Sequence, residues 1–316
     1  MSEHVLVTGG LGFLGFHLVN DLVRMGYQVV IQDIVPRATA LAVLSEYKGQ
    51  VTYIWKNTTD FREEDLHKID YVVHLAGQAD VPFSINSPLY TWYANTIISL
   101  TLLEAIRRNP HIKAIFPSTD NVYGAVPPER LPISEDEPIN PTNQYAASKG
   151  AMEIAVRGYA NQFGLNLIIL RLSGFFGERG RPNQVVQIFI EKALKGEPIS
   201  IEGDGSQTRD LNYVKNVSYG IVSALRSDTK MGTYNIGGGR EVAIKELAEL
   251  VVKNIDSNSK IEFRPWRLGE KGTRYHLDIS RAKKEINYVV KYPLEEGIKR
   301  TVEHTKLHFK ENYEGR

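Results

Sequence analysis

A glycine-rich stretch at residues 8–15 limits the possible fold more than any other feature of the sequence. The apolar residues 5–7 before it predict a buried strand, and the apolar spacing of residues 13–23 after it predicts a helix. A turn of this kind binds phosphate, because glycine lets backbones approach closely and a helix N-terminus presents unpaired N–H groups. The glycines stand three apart, in a variant of the dinucleotide-binding pattern, at Gly9, Gly12 and Gly15.

A carboxylate at the end of the next apolar run supports the same interpretation. Residues 28–33 predict a second strand that ends in Asp33, about 20 residues past the turn, where a ribose diol would be bound. A carboxylate there repels a 2′-phosphate, so the sequence favours NAD over NADP, although Arg37 lies close enough in sequence to weaken that preference.

The rest of the first half alternates short β-rich runs with helical patterns, which predicts a parallel sheet covered by helices on both faces. We expect an α/β fold, a doubly wound (Rossmann) sheet with a smaller C-terminal substrate-binding lobe. The dinucleotide-binding domain is predicted at residues 1–172 and the substrate lobe at 173–316, with strands near 211–214 and 232–237 as candidates to return to the first sheet. The strands are predicted at residues 4–7, 28–33, 51–56, 71–76, 113–118 and 166–172.

Composition excludes several classes of function. The chain of 316 residues has no cysteine, so disulfides, thiolate metal sites and cysteine nucleophiles are excluded. The net charge of +1 gives no reason to expect nucleic acid or an anionic membrane as a partner. No apolar run approaches the roughly 20 residues that span a bilayer, and no signal peptide is evident, so a cytoplasmic protein is expected. No metal site is expected, and His17 and His74 are given packing roles.

A second group of residues has the pattern of a proton-transfer site. Thr119 follows a predicted strand, so it lies at the carboxyl edge of the sheet, where open α/β folds bind ligands. Tyr145 and Lys149 are four apart on a predicted helix and share one face. The lysine ammonium and an oxidised nicotinamide would lower the pKa of the phenol, so that it could take a hydroxyl proton while Thr119 holds the reacting oxygen.

Together these motifs make the chain similar to the extended short-chain dehydrogenase/reductase family, in particular its nucleotide-sugar epimerases and dehydratases. The resemblance covers nearly the whole chain and assigns a catalytic set of Thr119, Tyr145 and Lys149, with Asp120 beside them. It implies NAD that stays bound through a full cycle, and a homodimer formed through helices predicted at residues 89–108 and 144–163. It implies these cofactor-binding residues: Gly9, Gly12, Phe13, Leu14, Gly15, Asp33, Asp60, Phe61, Leu75, Ala76, Gly77, Asn95, Tyr145 and Lys149.

The resemblance also implies a subsite for a nucleotide-diphosphate sugar. Arg209 and Arg267 match its two diphosphate arginines, and Arg274 competes for the second position. Guanidinium suits phosphate because its planar fork donates two parallel hydrogen bonds. Gln184 and Val185 are expected to contact the nucleotide, whereas Arg171 is expected to be structural.

Two departures from the family bear on the reaction. Gly174 stands where many members have asparagine, so the sugar or phosphate is held differently here. Asn121 stands where the 4,6-dehydratases have a glutamate base, and an amide cannot remove a proton from a keto-sugar. The expected function is therefore an NAD-dependent UDP-hexose 4-epimerase. A dehydratase that uses Asp120, a decarboxylase or reductase on the same fold, and a non-catalytic NAD-binding regulator remain as alternatives.

Overall fold

The computed structural model describes residues 3–47, 49–266 and 273–313, with side chains described as far as residue 309. Their β-structure comprises thirteen strands. In chain order, the strands are β1 (His4–Thr8), β2 (Gln28–Asp33), β3 (Val51–Trp55), β4 (Tyr71–His74), β5 (Lys113–Thr119), β6 (Asn166–Leu172), β7 (Gly174–Phe176), β8 (Ile199–Glu202), β9 (Thr208–Arg209), β10 (Leu211–Tyr213), β11 (Gly232–Ile236), β12 (Val242–Ala243) and β13 (Ile261–Arg264).

Helices follow most of the strands, as expected for a doubly wound fold. The helices are α1 (Phe13–Arg24), α2 (Arg37–Glu46), α3 (Val81–Asn86), α4 (Pro88–Trp92), α5 (Ile98–Arg107), α6 (Gln144–Phe163), α7 (Val185–Leu194), α8 (Val214–Arg226), α9 (Ile244–Ile255), α10 (Ser280–Ile286) and α11 (Leu294–Tyr313). A π-helical turn, Tyr93–Ile97, joins α4 to α5 inside the helix predicted at 89–108. None of the helices in the described part of the chain is long and apolar enough to cross a membrane.

The central sheet has seven parallel strands in the order β11-β6-β5-β4-β1-β2-β3. This order confirms the predicted Rossmann-type α/β fold. The strand order reverses between β1 and β4, and ligands of open α/β sheets bind in the crevice at that point.

Both faces of the sheet are covered. Successive side chains of a strand point to opposite faces, so each strand contributes to the core on both sides. In β1, Val5 and Val7 belong to one buried cluster and Leu6 to the other. The first cluster includes Leu18 of α1, and the second includes Leu102 of α5. Burial on both faces explains why these strands are continuous apolar runs.

The two candidate returning strands have different outcomes. The strand near 232–237 does return, because β11 pairs with all five residues from Ile168 to Leu172 of β6. The strand near 211–214 does not: β10 pairs with β7 in a separate two-stranded sheet. The physical reason is that β11 already occupies the free edge of β6, so no backbone donors are left there for β10.

The predicted domain division at residue 172 stays a prediction. The segment after it returns β11 to the central sheet, and α8 packs directly on α1. Lys215 and Ser218 of α8 both bond to the Asp21 carboxylate of α1, at 2.9 and 2.7 Å.

Candidate active site

A cavity of about 600 Å³ opens at the carboxyl edge of the sheet, where the strand order reverses. The ends of β1, β2, β4, β5 and β6 all contribute residues to its wall. Most of the residues that the sequence predicts for cofactor and catalysis therefore come together in one place. Those that line the cavity are Gly9, Gly12, Phe13, Leu14, Gly15, Asp33, Leu75, Ala76, Gly77, Asn95, Thr119, Asp120, Tyr145 and Lys149.

The glycine turn forms a cradle that side chains would fill. A Cβ on Gly9, which has φ +66°, would lie 2.7 Å from the backbone nitrogen of Ala76. A Cβ on Gly15 would lie 2.7 Å from Gly10. Gly12 caps α1 without a side-chain bond to the first turn of the helix, so this N-terminus suits a phosphate. The cradle therefore fits the pyrophosphate of a dinucleotide.

Asp33 closes the outer end of the cradle. Its Oδ2 accepts the Leu11 N–H over 3.2 Å, and its Oδ1 accepts the Ile34 N–H over 2.8 Å. The carboxylate is thus held at the end of β2 beside the glycine turn, in a position that suits a ribose diol.

Asp60 and Phe61 do not line the cavity. Asp60 ends a short 3₁₀ turn, Thr58–Asp60, and Phe61 is buried in the core cluster of the opposite sheet face. Asn57 and Thr58 line the cavity instead. Sequence reasoning missed these two because a 3₁₀ turn has no periodicity that shows which side chains face inward.

The wall opposite the glycine turn is held by Asn95. Its Oδ1 accepts the Gln78 N–H over 2.8 Å, and its Nδ2 donates to the Gln78 carbonyl and to Ser148 Oγ, each over 2.9 Å. A Cβ on Gly77 would lie 2.7 Å from Asn95 Oδ1. The π-helical turn that contains Asn95 is therefore fixed against the segment that follows β4.

Tyr145 lies in the first turns of α6, with its side chain hydrogen-bonded to Thr119. Burial and the charge of Asp120 raise the pKa of Tyr145 to about 12, whereas Thr119 and Arg181 act to lower it. We expected Lys149 to lower this pKa, but in this geometry Arg181 is the cation that does so.

Lys149 also lines the cavity. Burial lowers its pKa to about 8, opposed by Glu153, and its Nζ lies 3.4 Å from Met152 Sδ. At neutral pH it therefore carries a charge within the cavity wall.

Asp120 and Asn121 complete the catalytic edge. Burial and the neighbouring Asp210 raise the pKa of Asp120 to about 7, against the hydrogen bonds from Thr119 and Asn121. Asn121 Nδ2 donates to Thr119 Oγ1 over 3.0 Å and to Asp120 Oδ1 over 2.9 Å. The amide that stands where the dehydratases have their base thus bonds to the side chains of Thr119 and Asp120.

The predicted substrate residues are only partly brought to the cavity. Gln184 lines it and donates to the Phe175 carbonyl over 3.0 Å, whereas Val185 begins α7 and packs on the core. Arg209 does not line the cavity: it lies on β9, where its Nη1 donates to the Thr208 carbonyl over 2.9 Å. Arg267 lies outside the described residues.

The two remaining arginines considered from the sequence are both paired. Arg274, the competitor for the second diphosphate position, lies 2.6 Å from Glu241. Arg171 is buried and bonds to Glu153 over 2.8 Å, in agreement with the expected structural role. No group of three or more histidines and carboxylates in the described part of the chain is placed to hold a metal ion.

Arg181 is a further residue of the cavity wall that sequence reasoning missed. It lies between β7 and α7, lines the cavity, and donates from Nη1 to the Ala79 carbonyl over 2.9 Å. Its charge acts on Tyr145. Nothing in the local sequence distinguishes it from the nearby Arg179, which pairs with Glu46 away from the cavity.

Fold and cavity together define a nucleotide-binding enzyme with a tyrosine and a lysine at the reacting end. The profile of the NAD dependent epimerase/dehydratase family matches residues 5–237. The chain belongs to this family, so NAD is its cofactor.

Three known proteins show the similarity in detail. The crystal structure of Thermotoga maritima UDP-glucose 4-epimerase with UDP-glucose matches with a TM-score of 0.87 at 32% identity, over 97% of this chain and 99% of that one. Bacillus cereus UDP-glucuronic acid 4-epimerase, in complex with UDP-glucuronic acid and NAD, matches with a TM-score of 0.86 at 27% identity, over 96% and 99%. A dTDP-glucose 4,6-dehydratase of Xanthomonas campestris is 30% identical, over 94% of this chain and 92% of its own length.

Proposed function

We propose that this protein is a nucleotide-sugar 4-epimerase that acts on a UDP-hexose. The observation that carries the proposal is the hydrogen-bonded series of Tyr145, Thr119 and Asn121 at one end of the cavity. It provides a phenol and a hydroxyl for one substrate oxygen, and a neutral amide where a dehydratase has its base. Epimerisation needs the first two and does not need the base.

In this proposal each residue has a defined task. Bound NAD supplies the chemistry of hydride removal and return. Tyr145 takes the proton from the C4 hydroxyl and gives it back, and Thr119 holds the oxygen from which the proton leaves. Lys149 holds the nicotinamide ribose and supplies positive charge near the site. Proton transfer of this kind contributes roughly 10²–10⁴-fold to the rate.

The cofactor assignments belong to the same proposal. The glycine cradle would hold the pyrophosphate, Asp33 the adenosine ribose, and the segment from Leu75 to Gly77 the inner half of the cofactor. Asn57 and Thr58 line the cavity beyond Asp33, so they are proposed to contact adenine in place of Asp60 and Phe61.

The direct test is incubation of the purified enzyme with UDP-glucose, followed by separation of UDP-glucose from UDP-galactose. The same mixture is analysed by mass spectrometry for a keto-sugar that has lost one water. Interconversion without loss of water supports the epimerase. A product that lacks water shows instead that Asp120 works with another base, as in the dehydratase alternative.

Arg181 favours a second candidate, a UDP-hexuronate substrate. Its guanidinium lines the cavity near Tyr145, where a sugar carboxylate could accept its hydrogen bonds. UDP-glucuronate and UDP-glucose would be compared as substrates of the wild type and of Arg181→Leu. If the substrate is acidic, the variant loses activity on UDP-glucuronate about 100-fold, whereas a neutral substrate is affected much less.

The residues assigned to the diphosphate stay proposals. Gln184 has support from its place in the cavity wall. Val185, Arg209 and Arg267 rest on the resemblance of their segments. For Arg209 the test is Arg209→Met: if it binds the diphosphate, KM for the UDP-sugar rises at least tenfold with a small change in kcat.

A homodimer is also proposed, through the outer face of α3, α4, the π-helical turn and α6. Large apolar side chains there are exposed, among them Leu89 (85%), Ile85 (69%) and Ile154 (64%). Such a contiguous apolar surface marks an association site. Sedimentation of Ile154→Asp should show monomers, whereas Leu307→Asp, on the equally exposed Leu307 of α11 (77%), should remain dimeric.

We also propose that the chain divides into two domains at residue 172 and that the protein is cytoplasmic. The composition without cysteine supports a reducing compartment.

A further inference from the structure

His74 is a buried titratable residue for which the proposed reaction has no use. It ends β4, is 1% exposed, and lies directly behind the cavity wall. Its two ring nitrogens have different partners: Nδ1 lies 2.7 Å from Thr8 Oγ1, and Nε2 lies 3.0 Å from Ser99 Oγ. A buried histidine with both nitrogens bonded has a tautomer that its neighbours decide.

The neighbours of His74 determine where the hydrogen lies in each hydrogen bond of its ring. Ser99 Oγ donates its hydrogen to the Asn95 carbonyl over 2.7 Å, so it can only accept from the ring. The ring hydrogen is therefore on Nε2, and Nδ1 accepts. Thr8 Oγ1 then donates to Nδ1 and accepts the backbone N–H of Ala76 over 3.2 Å. The opposite tautomer would leave the Thr8 hydrogen without an acceptor and break the Ser99 bond to Asn95.

The hydrogen bonds that link Thr8, His74, Ser99 and Asn95 connect the two walls of the cofactor cavity. At one end Thr8 lies immediately before the glycine turn, and at the other Asn95 bonds to Gln78 and Ser148. Ser148 Oγ in turn donates to the carbonyl of Tyr145 over 2.8 Å. One continuous set of buried hydrogen bonds therefore runs from the end of β1, through His74, to the turn of α6 that carries the catalytic phenol.

We infer that His74 is a positioning residue: as the neutral Nε2–H tautomer it fixes the Ala76 backbone between the glycine turn and Asn95, and so maintains the shape of the NAD cavity. This inference rests on the family's cofactor and is independent of which sugar is the substrate. A proton on Nδ1 would remove the acceptor that Thr8 needs.

The surroundings of the ring keep it neutral. Burial and the Lys149 ammonium of α6 lower the pKa of His74 to about 3. The other contacts are Thr8 from β1, Ser99 from α5 and the edge of the Phe116 ring from β5, at 5.6 Å between centroids. None of these three side chains is ionisable, and the Lys149 ammonium is the charge that acts on the ring.

The first test is long-range ¹H–¹⁵N correlation NMR of the NAD-bound enzyme labelled at histidine, with the His74 signals assigned by comparison with His74→Gln. The inference expects hydrogen on Nε2 alone and no titration between pH 5 and pH 8. Hydrogen on Nδ1, or a proton gained in this range, overturns it. This measurement needs only the wild-type fold.

The second test compares Thr8→Val with Thr8→Ser, because only serine keeps the hydroxyl. Thr8→Val should bind NAD about tenfold more weakly by calorimetry, as expected for a buried acceptor left without its donor. The His74 hydrogen should stay on Nε2, because Ser99 still accepts it. Thr8→Ser should behave like the wild type in both. Equal NAD affinity in the two variants, measured on folded protein, refutes the positioning role.

Discussion

The Nδ2 of Asn121 donates to the Oγ1 of Thr119 over 3.0 Å, and the same Thr119 side chain bonds to Tyr145. An uncharged amide therefore lies two hydrogen bonds from the catalytic phenol. Because the amide adds no negative charge, it leaves Asp120 as the one carboxylate of this group that acts on Tyr145.

Replacing this amide by the isosteric acid should harm the reaction, chiefly through the added negative charge. Asn121→Asp adds a carboxylate beside Asp120 and removes the donor to Thr119. A negative charge favours the protonated phenol, so the pKa of Tyr145 rises and the pH–rate profile moves to higher pH. We expect kcat at pH 7 to fall about tenfold or more. The neutral Asn121→Ser is the control, and a profile equally displaced in this variant would show that charge is not the cause.

Removal of the phenol oxygen should separate catalysis from binding. Tyr145→Phe should lower kcat by roughly 10²–10⁴-fold, since the phenol is the group proposed to take the proton from the C4 hydroxyl. NAD released from the denatured variant should equal that from the wild type, because the ring and the helix turn remain. Activity within tenfold of the wild type would contradict the assigned role of Tyr145.

Lys149 should be unfavourable for stability, because its charge is buried. Its pKa is lowered from 10.5 to about 8, so the unfolded chain binds more protons than the folded one between these values. The free energy of unfolding should therefore rise with pH across this window. Lys149→Met should remove that rise with pH and, in protein freed of NAD, should raise Tm at pH 7 by about 2–4 °C. Calorimetry at pH 7 and pH 9 measures both effects on stability. The variant should also lose its activity.

The buried ion pair between Arg171 of β6 and Glu153 of α6 should contribute strongly to the stability of the protein. Arg171 also donates to the Glu135 carbonyl and lies over the Tyr123 ring. Arg171→Met leaves a buried carboxylate without its partner and should cost about 3–5 kcal/mol in the free energy of unfolding. Arg157→Met is the matched control, because Arg157 approaches the same Glu153 from the exposed side at 3.5 Å. The control should change stability by about 0–1 kcal/mol.

The sequence alone determined the fold class and many of the residues that line the cavity. The glycine turn between β1 and α1, the strand that ends in Asp33, and the helix that carries Tyr145 and Lys149 are local patterns. Each is set by residues that are neighbours in the chain, so spacing and residue type suffice to identify it. The order of the strands then brings their carboxyl ends together, as the parallel sheet requires.

Only the tertiary structure decided which side chains from distant segments reach the cavity. Arg181 lines it and Arg209 does not, although both arginines lie in glycine-containing stretches of the sequence. β11 rather than β10 joins the central sheet, and His74 finds partners from β1 and α5. These outcomes depend on contacts between segments that are far apart in sequence. Such contacts are set by packing and by the need to satisfy buried polar groups, and no local pattern encodes them.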